Sequence, residues 1–319
     1  MLHQVMIKAA GLGTRMQPFS HQIPKVFLPF FGVPVIQWVL EGLLDASVSS
    51  FVINVHHHAS WMQSELKKLT STLNCNIRIS DESSQLLGSA GGIRQAAIQG
   101  PFFIANADVL TQVDWKKLAH CHARLRKLHG VSLTLAIHPG KIRSFYTEIL
   151  FDPKEELILG LDAVREGRPF YTGVGILEPE ACAYIPEHGV SDFVTSILKP
   201  AILQKKAGCY FSEENWYDFG SVQTWRDAHF QWMKNFEHGF SWGKRWDLRM
   251  QAQFRHAPGI WSDREGDFSK QWKAPCYWGL GVNPPQFLGP EAILYGEGEI
   301  RNYLSGIGHC GIWKDLGCD

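Results

Sequence analysis

A short apolar run, Val5 to Ile7, passes directly into Ala9-Ala10-Gly11-Leu12-Gly13-Thr14-Arg15, and this junction constrains the fold more than any other part of the chain. The run reads as a buried strand. Gly11 and Gly13 then let the backbone turn sharply and come close to a ligand at the strand's end. The bare N–H groups of such a loop suit anionic oxygens, while Thr14 adds a hydroxyl and Arg15 a guanidinium. Lys25 follows ten positions after Arg15, beyond Pro18 and Pro24, and supplies a second cation. This is chemistry for a polyphosphate. The two commonest phosphate loops are nevertheless absent, since no third glycine completes G-x-G-x-x-G and no G-K-[ST] follows.

The alternation that follows predicts an open α/β sheet. Pro34 to Leu44 has helical spacing with proline at its start. Phe51 to Val55 reads as a strand, and Ser60 to Leu69 as a helix capped by Ser60. Ile77 and Ile79 mark a third strand, and Gly92 to Ile98 a short helix. Phe102 to Ala105 is a strand running into Asn106-Ala107-Asp108. Trp115 to Leu128 reads as a helix, with strands at Ser132 to Ile137 and Tyr171 to Leu177. Phe193 to Lys206 is helical, with Pro200 expected to kink or divide it. Trp216 to Phe219 is strand-like, and Ser221 caps a helix running towards Phe236.

With 31 basic and 31 acidic residues the formal charge is zero, and no long basic run occurs. Nucleic acid and anionic membranes are therefore not expected partners. No apolar run has the length of a membrane span, and the N-terminus lacks a signal-peptide pattern. Seven scattered cysteines, with no C-x-x-C pair, argue against a disulfide framework or zinc site and fit a reducing cytoplasm.

The string G-x-G-T-R followed by P-K resembles the signature of the sugar-1-phosphate nucleotidyltransferases. Five further segments extend the resemblance over roughly residues 5 to 230. Asn106-Ala107-Asp108 resembles the family's magnesium-binding N-G/A-D, and Trp216-Tyr217-Asp218-Phe219-Gly220 its second acidic motif. Gly88-Ser89-Ala90-Gly91-Gly92, preceded by Asp81-Glu82, resembles the loop near the nucleotide base and sugar. Phe170-Tyr171-Thr172-Gly173 resembles the strand lining the sugar pocket. Asn54-Val55-His56-His57-His58 matches a segment found after the second strand in several relatives. Adjacent side chains on a strand point to opposite faces, so the three histidines are not read as a metal site.

The resemblance implies a Rossmann-like open mixed sheet of the glycosyltransferase-A-like nucleotidyltransferase type. It implies that an NTP and a sugar 1-phosphate give NDP-sugar and pyrophosphate, within cell-envelope or nucleotide-sugar biosynthesis. Arg15, Lys25, Asp108 and Asp218 would be the catalytic set, with Mg2+ on Asp108 and Asp218. Ala10, Gly11, Leu12, Gly13, Thr14, Glu82, Gly88, Ser89 and Asn106 would bind the nucleotide. Gly91, Gly92, Thr172 and Gly173 would bind the second substrate. An ionised phosphate attacks, so no general base is required, and catalysis rests on positioning and charge neutralisation. The likeness is nearest to bacterial N-acetylmuramate or hexose 1-phosphate uridylyltransferases, with UTP favoured. Guanylyl transfer to mannose or heptose 1-phosphate, phosphocholine cytidylyl transfer and a non-catalytic sensor of nucleotide-sugar are the alternatives. The family's second lysine, in an E-K-P segment, is not evident, and Arg165 or Arg168 is the candidate replacement.

A nucleotidyltransferase domain is expected over 1–238 and an extension over 239–319. Eight of the twelve tryptophans fall between Trp216 and Trp278. His238 to Lys273 shows no clear period and reads as an irregular, aromatic-packed connection. Val282, Leu288, Leu294, Ile300 and Ile312 then share one six-residue phase. Leu288-Gly289-Pro290-Glu291-Ala292-Ile293 resembles a unit of a left-handed hexapeptide β-helix. About two turns over 282–312 are expected, as a structural cap or a homo-oligomer contact.

Overall fold

The computed structural model describes residues 2–251 apart from 18, 22, 140–145, 147, 163–168 and 242, together with five strands beyond 251. The chain divides into two compact units, residues 1–12 with 46–216, and residues 13–45 with 217–319. The expected division at 238 follows the catalytic length implied by the resemblance, whereas these units follow packing.

The first unit is built on a nine-stranded sheet. Its strands are β1 (Gln4–Lys8), β2 (Ser50–Val55), β3 (Asn76–Asp81), β4 (Phe102–Asn106), β5 (Leu133–His138), β6 (Glu148–Asp152), β7 (Leu157–Asp162), β8 (Phe170–Leu177) and β9 (Ala207–Phe211). Their spatial order is β3-β2-β1-β4-β8-β5-β9-β7-β6. The first four run parallel, β8 lies antiparallel between β4 and β5, and β5 pairs parallel with β9. The alternation predicts the open α/β sheet, and its mixed pairing is the one the resemblance implies. Helices α2 (Ala59–Leu73), α3 (Gly88–Ala96), α4 (Trp115–His129) and α5 (Lys199–Leu203) complete the unit's regular helices. The main core joins Met6, Ile104, Leu135, Ile137 and Ile149 of the strands to Ile93, Phe193 and Ile197.

Two helix starts differ from expectation. Ser60 does not cap α2. The helix begins at Ala59, after His58 in the left-handed region at φ 55°, with no side-chain cap. α3 begins at Gly88, four residues before Gly92, despite its glycines. A tertiary partner explains it, because the Ser191 carbonyl accepts from Ala90 N (3.0 Å) and Gly91 N (3.3 Å). These bonds satisfy donors that a helix's first turn otherwise leaves open. Pro200 divides its segment as expected: a π-helical stretch, Val194–Leu198, hands over to α5 with the proline in its first turn.

The second unit holds α1 (Val35–Asp45), α6 (Val222–Glu237) and α7 (Lys244–Gln251). Ser221 and Thr224 form a capping box on α6. Trp38, Trp225 and Trp232 are fully buried and Trp246 nearly so. Phe30 centres the cluster, with ring centroids of Phe219, Trp232 and Trp38 at 4.9, 5.1 and 5.4 Å. These tryptophans are core. The expected irregular stretch from His238 contains α7, because Trp246 is anchored on α1. Its Nε1 donates to the Trp38 carbonyl at 2.9 Å, and a Cβ at Gly42 would lie 2.6 Å from its ring.

Beyond α7 come β10 (Phe254–Ala257), β11 (Ile260–Ser262), β12 (Cys276–Trp278), β13 (Ala292–Gly296) and β14 (Cys310–Trp313). The last four pair in parallel. Ile260 pairs with Cys276 and Cys276 with Ala292, steps of 16 positions, while Ile293 pairs with Cys310, a step of 17. Neither step is a multiple of six. Leu294 pairs with Gly311 and Tyr295 with Ile312, so Leu294 and Ile312 are offset by one residue along neighbouring strands. Val282, Leu288 and Ile300 lie outside the described residues. Among the described residues no helix is long and apolar enough to cross a membrane.

Candidate active site

In the first unit the sequence-picked residues gather at the carboxyl ends of the parallel strands, where open α/β sheets collect ligands. Lys8, the last residue of β1, is in register with Asn106 at the end of β4, and Ala107 N donates to the Lys8 carbonyl at 3.1 Å. Asn106-Ala107-Asp108 therefore lies directly beside the start of the glycine loop. Ala10 is buried, while Gly11 and Leu12 are exposed. Asp108 is only 8% exposed. Asn106 packs against Gly173, whose φ of 88° and missing Cβ are both needed: a Cβ there would lie 2.7 Å from the Asn106 amide nitrogen. Thr172 is buried, and its hydroxyl donates to the Ala136 carbonyl at 2.9 Å. What Thr172 contributes at its own carbonyl is a fixed acceptor for Trp216 Nε1, at 2.8 Å.

Glu82 is almost fully buried. Asn54 Nδ2 donates to its Oε1 at 2.6 Å and Leu87 N to its Oε2 at 3.0 Å. Asn54 Oδ1 in turn accepts from Ala9 N at 2.7 Å. Protein also fills the space around the α3 glycines. A Cβ at Gly92 would stand 2.5 Å from Glu82 Oε1, one at Gly91 2.9 Å from Leu87 Cβ, and one at Gly88 2.5 Å from the Ser191 carbonyl. The Ser89 hydroxyl is held between Asp192 Oδ2 at 3.1 Å and Phe193 N at 2.7 Å.

Two features escaped sequence reasoning. The first is Lys8, a charged residue ending an apolar strand, which was the available signal. Its Nζ lies over the rings of Phe193 (5.2 Å) and Tyr171 (5.8 Å). Burial lowers its pKa to about 8, and the carboxylates of Asp108 and Asp192 oppose that shift. The second is Glu148, fully buried and without a hydrogen-bond partner among the described residues. It pairs across the sheet with Phe170, which pairs with His138, so all three share one face. Phe170 also meets Tyr146 at 5.1 Å and Trp216 at 4.9 Å.

The second unit carries Gly13, Thr14, Arg15, Lys25 and Asp218. Gly13 takes φ 66°, and a Cβ there would sit 3.1 Å from Ser20 Cβ and 3.4 Å from Lys25 Cβ, so the Lys25 stem packs over the glycine. Arg15 Nη2 and Asp218 Oδ1 both lie within 3 Å of the point a Cβ of Gly220 would occupy (2.9 and 2.8 Å). Gly220 N donates to Asp218 Oδ1 at 2.8 Å, which fixes that carboxylate ahead of α6. Gly220 thus leaves room for a cation and a carboxylate to share one spot.

Among the described residues no three His, Cys, Asp or Glu side chains gather at metal-binding distance. His56 instead bonds the Glu82 carbonyl at 2.7 Å, and His57 packs on His58. Arg165 and Arg168 lie outside the described residues.

Residues 4–235 match the family model described as nucleotidyl transferase. The chain is similar to the N-acetylmuramate alpha-1-phosphate uridylyltransferase of Caulobacter vibrioides, 33% identical over 57% of this chain and 78% of that protein. It is 27% identical to the UTP–glucose-1-phosphate uridylyltransferase of Synechocystis sp. over 70% of this chain and 62% of that one. With the mannose-1-phosphate guanyltransferase of Saccharomyces cerevisiae it shares 28% identity, over 70% and 60%. The last two matches therefore span about three fifths of those relatives. In fold the chain resembles HddC from Yersinia pseudotuberculosis, with TM-score 0.61, 20% identity and coverage of 72% of this chain and 100% of that one. It likewise resembles apo UDP-glucose pyrophosphorylase, with TM-score 0.60, 21% identity and coverage of 74% and 100%.

Proposed function

The chain belongs to the nucleotidyl transferase family, and from that premise we propose that it joins an NTP to a sugar 1-phosphate, forming NDP-sugar and releasing pyrophosphate. The family match over residues 4–235 carries the reading, because Arg15, Lys25, Asp108 and Asp218 all fall inside it. An oxygen of the sugar phosphate attacks the α-phosphorus, the bond to the bridging oxygen breaks, and pyrophosphate leaves. That nucleophile is already ionised near neutral pH, so the chain need only position it and neutralise charge. The loop from Ala10 to Thr14 contributes backbone donors to the triphosphate. Arg15 neutralises the leaving pyrophosphate, and Lys25 draws the attacking phosphate towards the α-phosphate.

Asp108 and Asp218 are the residues that would hold magnesium. Carboxylate oxygens are the donors this hard cation prefers, and the small number of protein ligands suits an ion that keeps substrate phosphates and water. When bound, the ion supplies charge stabilisation at the phosphates.

On the acceptor side we place the face shared by His138, Glu148 and Phe170. Its rings offer an apolar surface to sugar C–H groups. The buried Glu148 carboxylate offers acceptor positions to a substrate hydroxyl or N–H, a pairing such a group needs.

UTP is the favoured nucleotide, supported by the uridylyltransferase relatives. GTP is the second reading, supported by the guanyltransferase of S. cerevisiae. Pyrophosphate release with each NTP against hexose, amino-hexose and N-acetylmuramate 1-phosphates tests both. A higher kcat/KM with UTP is expected, and preference for GTP would overturn the nucleotide assignment. We assign the parallel strands after α7 to a cap or a contact between copies, and the site of action to the cytoplasm, where NTPs are made.

A further inference from the structure

We infer that Asn54 and Glu82 are a positioning pair that sets the two loops assigned to the nucleotide, the glycine loop after β1 and the turn into α3. The inference rests on the proposed function. It gives Glu82 a different part from the direct nucleotide contact expected from sequence.

Both Glu82 oxygens are spent inside the protein, on Asn54 Nδ2 and Leu87 N. What reaches the loops is the line of bonds Ala9 N–H to Asn54, Asn54 to Glu82, and Leu87 N–H to Glu82. Its two ends are backbone donors. One is two residues before Gly11, and the other immediately precedes Gly88 at the start of α3. The carboxylate is buried against that helix's N-terminus, where the first-turn N–H groups favour negative charge. The Glu82 carbonyl also accepts from Gln85 N at 3.0 Å and bonds His56 Nδ1, which ties down the turn's own backbone. Bare Gly92 leaves room for the junction, since a Cβ would press on both partners, 2.5 Å from Glu82 Oε1 and 2.7 Å from Asn54 Nδ2.

Donors at both ends dictate the chemistry between them. The atom of residue 54 facing Ala9 and the atom of residue 82 facing Leu87 must both be acceptors. The central contact then needs one donor and one acceptor. Asn54 with Glu82 satisfies all three contacts. Glu82→Gln alone cannot, because any flip of either amide leaves two donors face to face. Asn54→Asp alone sets two carboxylates against each other. The double exchange, Asn54→Asp with Glu82→Gln, satisfies every contact again with the central bond reversed. It keeps one carboxylate and one amide, so neither net charge nor volume changes materially.

The test compares wild type, both single variants and the double variant. UTP affinity is measured by titration calorimetry with magnesium, using GTP if wild type prefers it. Amide hydrogen exchange at Ala9 and Leu87, and Tm, are measured alongside. Each single variant should weaken nucleotide binding about tenfold or more, since each leaves a buried polar contact unsatisfied, and should speed exchange at Ala9 and Leu87. The double variant should return the Kd to within about threefold of wild type. The Asn54→Asp variant alone should also regain affinity as the pH is lowered, when one proton can bridge the two carboxylates. Unchanged affinity in the single variants despite faster exchange would reduce the pair to a structural role and overturn the inference. So would a double variant no better than the weaker single one. Failure of wild type to bind either nucleotide would instead overturn the proposed function on which the inference rests.

Discussion

At Gly92 a single methyl group tests whether close packing or chain flexibility explains the glycine. Gly92→Ala directs a Cβ to 2.5 Å from a carboxylate oxygen already held by a hydrogen bond. A destabilisation of about 2 kcal/mol is expected in denaturant unfolding, as for other overpacked sites. On the proposed reading, Glu148 serves the other substrate. Glu148→Gln keeps the shape but replaces one acceptor with a donor, so KM for the sugar 1-phosphate should rise about tenfold while KM for the nucleotide holds. Equal changes in both KM values would remove Glu148 from the acceptor side. Local chemistry is what makes a single residue stand out in a sequence. Arg15 and Lys25 stand out because a glycine loop beside two cations has few uses. Asn54 and Glu82 were each visible inside a motif, but not as partners. They are 28 positions apart and meet only because β2 and β3 lie in parallel register, with Asn54 opposite Ser80.

The helices of the second unit carry two further predictions. Trp246 on α7 inserts its ring beside Gly42 and packs against Trp232 at 5.5 Å. Trp246→Ala should cost about 3 kcal/mol or more, the usual loss for a large buried aromatic, read as a fall in Tm. His229 on α6 is fully buried, and its Nδ1 bonds the Trp225 carbonyl at 2.9 Å. Burial pushes its pKa from 6.5 down to about 3, with the Trp225 bond opposing the shift. The folded state thus keeps His229 neutral where the unfolded chain takes up a proton. Its contribution to stability is complete above about pH 6.5 and is lost as the pH falls towards 3, by up to about 1.4 kcal/mol per unit. Relative to His229→Gln, wild type should therefore lose about 2 kcal/mol of unfolding free energy between pH 7 and pH 5. A constant difference would mean that His229 is not held neutral. Most elements were legible because strand and helix periods alternate cleanly through Ile137. α7 was not, since its signal is one tryptophan that needs a glycine on a distant helix. The α3 start was hidden for a similar reason: its first donors are satisfied by Ser191, far along the chain.

Across the whole chain, the open α/β sheet was readable from the alternating strand and helix periods, and the family from the opening loop with the motifs that follow it. The steps of 16 and 17 residues between the parallel strands of the tail were not. They come from pairing between strands, which a six-residue hydrophobic phase does not specify. If these charged groups serve one reaction, nucleotidyl transfer without a general base, the heaviest demand falls on Lys25, which draws the two phosphates together. The most direct measurement is pyrophosphate release from UTP and magnesium, with and without the best sugar 1-phosphate, by wild type and Lys25→Ala. Release is expected only when both substrates are present. Lys25→Ala should lose about a hundredfold or more in kcat, with Tm within a few degrees of wild type. Release that needs no sugar phosphate, or near-normal turnover by a folded Lys25→Ala protein, would contradict this mechanism.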